Sequence, residues 1–242
     1  RFDRASAQHA IDFFGFLHHS KGEWAGQPFQ LEPWQQFIQW VVYGWKRRDG
    51  LRRFRTAYIE VPRKNGKTTF MAGNALYLMV ADGEPGAEIY SAAVKREQAK
   101  LCWGEAVRMV QASPALGRMV RHFRASDNLS IEATASKYQP LGADADSMDG
   151  LNIHGAIIDE LHAHRTPAIV EVLQTATGAR RQPLVWEITT AGSDRESVCR
   201  MHHDYSEQVL KGTVEDDTWF GYIATLDEGD DWADPQVWAK AN

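Results

Sequence analysis

The sequence predicts an α/β fold: a mainly parallel central sheet with helices on both faces. Segments rich in β-formers alternate along the chain with helical segments, the pattern of β-α-β units. The run Gly155-Ala156-Ile157-Ile158 is apolar without alternation, as a strand covered on both sides must be. The 242 residues, 43% hydrophobic and 24% charged, have ordinary globular composition and suffice for a sizeable core.

The elements follow in order. Apolar residues recur at helical spacing over 10–17 and 34–45, with Pro33 placed for the first turn of the second helix. Thr56-Ala57-Tyr58-Ile59-Glu60-Val61 reads as a strand, residues 62–69 as a Gly-containing loop, and 70–80 as a buried helix. Residues 87–93 read as a strand and 95–111 as a helix. Weaker strands at 121–123 and 129–132 flank an Asp127-Asn128 turn. The strand at 155–158 runs into Asp159-Glu160. A helix at 168–177, a strand at 184–190, a helix at 201–211 and a late strand at 219–225 complete the chain. In such sheets ligands bind at the carboxyl ends of strands, where residues 62–69, Asp159-Glu160 and residues 189–192 fall.

No run of 18 apolar residues is present, so a membrane span is excluded, and the N-terminus shows no secretory signal. Two cysteines exclude a disulfide scaffold and a four-cysteine zinc site, and make a reducing, intracellular compartment the default. The net charge of −5 hides a gradient. Residues 213–242 hold eight acids, from Glu215 to Asp234, against Lys240 alone, whereas residues 1–212 carry a small excess of bases. Between Lys46 and Lys67 stand nine bases and two acids, a pattern that fits a solvated face as well as a phosphate-contacting one.

Gly66-Lys67-Thr68 closes the first loop and opens a helix. Backbone N–H groups there face phosphates, Lys67 reaches the β- and γ-phosphates, and the Thr68 hydroxyl ligates Mg²⁺. Val61 stands where the usual pattern has its first glycine, and a bare Gly-Lys-Thr is common by chance. Asp159-Glu160 adds the second half. A carboxylate ending a buried strand is costly without a cation or donors, although Asp-Glu after a strand can also cap a helix. Asp159 suits the Mg²⁺ shell and Glu160 the activation of water. Thr189-Thr190-Ala191-Gly192 places hydroxyls at the next strand end, where a plain turn is equally natural.

Leu31-Glu32-Pro33-Trp34-Gln35, Val61 to Thr68, Ser91-Ala92-Ala93 with Gln98, Asp149-Gly150-Leu151-Asn152 and Ile157 to His164 together resemble the ATPase domain of the large terminase subunit of tailed bacteriophages, the DNA-packaging motor. The altered first glycine is usual in that family. The resemblance implies a P-loop NTPase fold of the ASCE type. It also implies ATP and Mg²⁺ as cofactors and hydrolysis that drives double-stranded DNA into a procapsid. By resemblance, Pro62, Arg63, Lys64, Asn65, Gly66, Lys67, Thr68 and Thr69 form the nucleotide loop, with Arg63 at the γ-phosphate. Thr68 and Asp159 hold the metal, Glu160 is the catalytic glutamate, Gln35 reads the adenine edge beside Trp34, and Thr189 and Thr190 couple hydrolysis to movement. Arg118, Arg121 and Arg124 are open candidates for an arginine finger acting on a neighbouring subunit, a device worth about 10³–10⁵ in rate.

The same resemblance divides the chain into an N-terminal helical segment (1–50) packed on the motor, an ATPase core (51–212) and an acidic exit segment (213–242) toward a C-terminal nuclease domain absent from this chain. It implies no DNA cleavage by this chain alone. Implied partners are duplex DNA held by its phosphates, the portal protein, the small terminase subunit and further copies in a ring, with the chain monomeric in isolation, no membrane, and the host cytoplasm as the compartment. A helicase-like ATPase and a non-hydrolysing docking scaffold are the alternative readings. The pairs His18-His19, His162 with His164, and His202-His203 lack metal spacing; His162 and His164 either tune the site or are ordinary loop histidines.

Overall fold

The computed structural model describes residues 1–142, 150–164, 166–192, 194, 196–227 and 229–241; Asp149, Glu228 and Asn242 of the segments above lie outside the described residues. The helices are α1 (Arg4–Phe14), α2 (Pro33–Gly44), α3 (Lys67–Val80), α4 (Arg96–Ala112), α5 (Pro114–Met119), α6 (Ala168–Thr175) and α7 (Val198–Leu210). The strands are β1 (Thr56–Glu60), β2 (Glu88–Ala92), β3 (Arg121–Phe123), β4 (Asn128–Ile131), β5 (Ser136–Leu141), β6 (Ile153–Asp159), β7 (Leu184–Thr189) and β8 (Trp219–Ile223). They form one sheet in the order β3-β4-β5-β2-β6-β7-β1-β8. Every pairing from β5 to β8 is parallel, and β3 and β4 join antiparallel at one edge. The expected α/β class and mainly parallel sheet are therefore present. Two elements, α5 and β5, were not expected from the sequence. The sheet also extends into the segment 213–242, because β8 pairs along β1.

All seven residues of β6 and all six of β7 are buried, since helices cover both faces of the sheet there. The side chains alternate between two cores. Ile59, Ile157, Trp186 and Ile188 face the side of α3 and α4. Tyr58, Ala156, Ile158 and Val185 face the side of α6 and α7. Outside α3 lie α1 and α2, which are capped by Asp3 and by a reciprocal Glu32–Gln35 capping box. Gly73 lets α1 approach α3: a Cβ there would fall 2.4 Å from the Phe14 ring. Among the described residues no helix is long and apolar enough to cross a membrane.

At the amino ends of the strands, buried Arg52 clamps Asp82 with two hydrogen bonds of 2.8 and 3.0 Å, and His154 Nε2 lies 2.7 Å from the same carboxylate. Burial pushes the Asp82 carboxyl up, but Arg52 and His154 together hold it below its usual range. Removing one member of a buried ion pair strands the others. Asp82→Ala is therefore expected to lower unfolding free energy by about 3–5 kcal/mol, read by denaturant titration at neutral pH.

Candidate active site

The strand order sets β6, β7 and β1 side by side, and their parallel direction brings all three carboxyl ends to one edge. The loop 61–66 leaves β1 there and turns into α3. Gly66 holds φ 68° at the helix N-cap, a left-handed conformation that a side chain would strain. Lys64, at φ 73°, bears that strain. No side chain caps α3, so the first-turn amides offer an anion site at the loop. Lys67 Nζ donates to the carbonyls of Pro62 (2.9 Å) and Val61 (3.2 Å), and Asn65 donates to Pro62 (3.3 Å). Burial lowers the Lys67 pKa, Glu160 and Asp159 oppose this, and Arg63 adds to it.

Across the loop, Asp159 ends β6 on the face of α3, with Oδ2 3.5 Å from Thr68 Oγ1 and Oδ1 accepting the Glu160 N–H at 2.9 Å. Burial above all, then Glu160, pushes its carboxyl up to about 6 against the Glu160 N–H, Lys67 and Thr68. A buried carboxylate short of compensating charge, facing a hydroxyl across a gap, is a hard oxygen donor set that suits Mg²⁺. Mg²⁺ takes one or two protein ligands plus water and phosphate. A cage is not needed, and none of three or more His, Cys, Asp or Glu exists among the described residues. Thr68 and Asp159 are the residues that would hold the ion.

The raised Asp159 pKa carries a stability consequence. The folded chain binds this proton more tightly than the unfolded chain, whose Asp titrates near 4. Stability without nucleotide should thus fall as pH rises from about 4 through 6. Asp159→Asn should stabilise the nucleotide-free chain at pH 8 by about 3 kcal/mol and leave it unchanged below pH 4, read by urea unfolding at both pH values.

Glu160 adopts φ 53°, ψ 51°, a left-handed conformation costly for a residue with a side chain, which turns its half-exposed carboxylate along the loop. His162 Nδ1 lies 3.1 Å from Glu160 Oε2 and 3.0 Å from Thr189 Oγ1. His164 is buried, and burial pushes its pKa down. A cleft of 570 Å³ opens between the loop and these acids, lined by Arg63, Lys64, Gly66, Lys67, Thr68, Thr69, Asp159 and Glu160. A second cleft of 340 Å³ opens on the other side of Val61 and Asn65, walled by Trp34, Tyr222 and Lys240. Trp34 and Tyr222 stack there at 6.1 Å and 25°.

The structure thus brings together Arg63 to Thr69, Asp159 and Glu160, with Thr189 and Thr190 joined to them through His162. Gln35 sits at the loop and also holds its own helix start. Its carbonyl oxygen accepts the Glu32 N–H at 3.0 Å to cap α2, and the residue is buried beside Gly66, while its neighbour Trp34 lines the aromatic cleft. Arg118, Arg121 and Arg124 are exposed around β3, the far edge strand, and stand apart from this chain's own cleft. Arg118 Nε is bonded within its own helix, to Pro114 O.

Sequence reading missed the aromatic partner Tyr222 and a buried network on the opposite face. His203 Nδ1 lies 3.0 Å from Glu60, which also accepts from the Tyr58 hydroxyl, and His202 Nδ1 lies 2.5 Å from Glu187. The signal was available: Glu60 and Glu187 each interrupt an apolar strand, and a buried carboxylate demands a partner. The adjacent histidines of α7 supply two.

Comparison with known proteins places the chain in a family and a fold. A family model described as the ATPase domain of the terminase large subunit matches residues 33–208. Protein YmfN of Escherichia coli is 50% identical over 94 residues, 39% of this chain and 21% of its own. The large terminase subunit of Enterobacteria phage HK97 is 32% identical over 178 residues, 72% of this chain and 34% of its own. The crystal structure of the HK97 large terminase superposes with a TM-score of 0.83 at 26% identity, over 98% of this chain and 47% of that one. The large-terminase ATPase domain of Thermus phage P74-26, at TM-score 0.53 and 16% identity over 79% of this chain and 86% of its own, shares the fold. This chain spans about a fifth to a third of the length of the curated relatives it matches.

Proposed function

Because the chain belongs to the family of terminase large-subunit ATPase domains, we propose that it is a Mg²⁺-dependent ATPase that powers translocation of double-stranded DNA into a viral procapsid. One observation carries the reading: the uncapped start of α3, Lys67, Thr68, Asp159 and Glu160 converge on a single open cleft at the ends of β1 and β6, on either side of β7. The ATP phosphates enter at the α3 amides, and Lys67 exchanges its two loop carbonyls for phosphate oxygens. Arg63 supplies a further positive charge on the same wall. Glu160, outside the pair that would hold the metal, accepts the proton of the attacking water. Mg²⁺, when bound by Thr68 and Asp159, supplies neutralisation of charge on the phosphates. The Trp34–Tyr222 cleft is sized and lined for the base, with the Gln35 side-chain amide beside Gly66 to read its adenine edge.

Thr189 and Thr190 end the strand between the two halves of the site, which suits them to pass the state of the γ-phosphate onward. An arginine from a neighbouring copy completes the site in an assembled ring, and the exposed Arg118, Arg121 and Arg124 are free to serve there. Cargo must be moved whatever its sequence, so DNA is held through its phosphates. Portal protein and small terminase subunit are the assembly partners proposed with this reading.

The test is phosphate release by the chain with duplexes of unrelated sequence, alongside strand separation of a forked duplex. Equal stimulation by all duplexes without unwinding is expected. Strand separation would favour a helicase-like ATPase, and stimulation confined to one sequence would overturn non-specific phosphate contact.

A further inference from the structure

His162 is the middle residue of the short turn Leu161–Ala163, which follows Glu160 directly, and is the junction between the acidic and hydroxyl halves of the site. Its Nδ1 has three neighbours: Glu160 Oε2 at 3.1 Å, Thr189 Oγ1 at 3.0 Å and Thr190 Oγ1 at 3.4 Å. Its backbone N–H donates to the same Thr189 hydroxyl at 3.1 Å. That hydroxyl spends its own hydrogen on the Thr190 carbonyl at 2.8 Å, so toward the imidazole it can only accept. An ionised carboxylate likewise only accepts. The two nearer neighbours, Thr189 and Glu160, therefore require the proton on Nδ1. The more distant Thr190 hydroxyl can accept as readily as donate, and the geometry selects that tautomer.

The residue is also tied to the end of β7 by its two contacts with the Thr189 hydroxyl. Thr189 is fully buried, and a Cβ added to Gly192 would fall 3.1 Å from His162 Cβ, so the chain after β7 packs closely on the base of the His162 side chain. Glu160, by contrast, has a half-exposed carboxylate on a strained backbone. A half-exposed carboxylate bonded to an anchored donor takes its direction from the anchor.

We propose that His162 is a positioning residue: anchored on the end of β7, it directs the Glu160 carboxylate through Nδ1–H and makes the aim of the general base depend on where Thr189 and Thr190 stand. This rests on the ATPase reading above. It assigns the link between the coupling threonines and the catalytic glutamate to one imidazole nitrogen.

The amide nitrogen of asparagine stands where Nδ1 stands, and that of glutamine where Nε2 stands, which makes the test specific. ATP turnover is measured on the chain with Mg²⁺ and duplex DNA. His162→Ala should lower kcat on the order of 10- to 100-fold, the scale of a misaimed catalytic group, with KM nearly unchanged. His162→Asn should recover most of the rate and His162→Gln should not. Thr189→Val should reproduce the His162→Ala loss, and the double variant should lose no more than either alone. Thermal unfolding midpoints near wild type for the Ala and Gln variants are expected.

A His162→Ala chain with wild-type kcat overturns the proposal. So do Asn and Gln variants that are equally impaired, and an Ala variant whose lost rate tracks a lowered unfolding midpoint. A wild-type chain with no turnover that Lys67→Ala can abolish fails at the ATPase reading itself, and the positioning role falls with it.

Discussion

Glu160→Gln should lower ATP turnover by about 10²–10⁴-fold, the contribution of a positioned general base, while ATP affinity stays nearly unchanged. The amide keeps the shape of the side chain and can still meet an N–H, but it cannot take a proton from water. Its half-exposed position at the rim of the cleft means that the change disturbs little packing. In barrier terms the loss is about 3–5 kcal/mol. Single-turnover phosphate release combined with equilibrium ATP binding separates the two quantities. Loss of binding together with rate would show that Glu160 holds nucleotide rather than activating water.

Lys67→Ala should act the other way round, on binding first. A hydrogen bond from a charged donor to phosphate contributes about 1.5–3 kcal/mol, so ATP affinity should fall by about ten- to hundredfold. Turnover should fall with it. In the nucleotide-free chain the ammonium satisfies two loop carbonyls only, and its partly desolvated charge makes the exchange for phosphate favourable. Folding should survive, because α3 is held by Phe70, Met71 and Leu76 in the core rather than by its first residue. Fluorescent-nucleotide titration and a thermal melt of the same sample check both statements. Unchanged affinity would place the phosphates elsewhere.

Much of this was legible in the residues. The strands of the central sheet were readable because burial on both faces forces continuous apolar runs, as in Ile153–Asp159 and Leu184–Thr189. The convergence of Lys67, Thr68, Asp159 and Glu160 was readable because phosphate and metal chemistry would need those types at strand ends, and the parallel topology brings the ends together. Strand β5 was not: Ser-Lys-Tyr-Gln-Pro-Leu is only alternately buried, and its Pro140 argues against a strand. Helix α5 has six residues and only Leu116 fully buried, too few for a periodic signal. Gln35 shows a different limit. The motif gives its place beside the loop, whereas its hydrogen bond to Glu32 depends on how α2 starts. Tyr222 reaches the base-sized cleft from β8, an edge strand far along the sequence, and no local pattern reports such a contact. The His202–Glu187 and His203–Glu60 pairs were half legible: each buried acid announced a missing partner, and only the packing of α7 named it.

The central claim is that one cleft, at the ends of β1, β6 and β7, hydrolyses ATP. Steady-state phosphate release from Mg²⁺-ATP, measured with duplex DNA and at a concentration high enough for copies of the chain to meet, tests it most directly when wild type is set beside Glu160→Gln. A wild-type rate at least about a hundredfold above the variant is expected. A wild-type rate that stays at the level of Glu160→Gln under all of these conditions would contradict it.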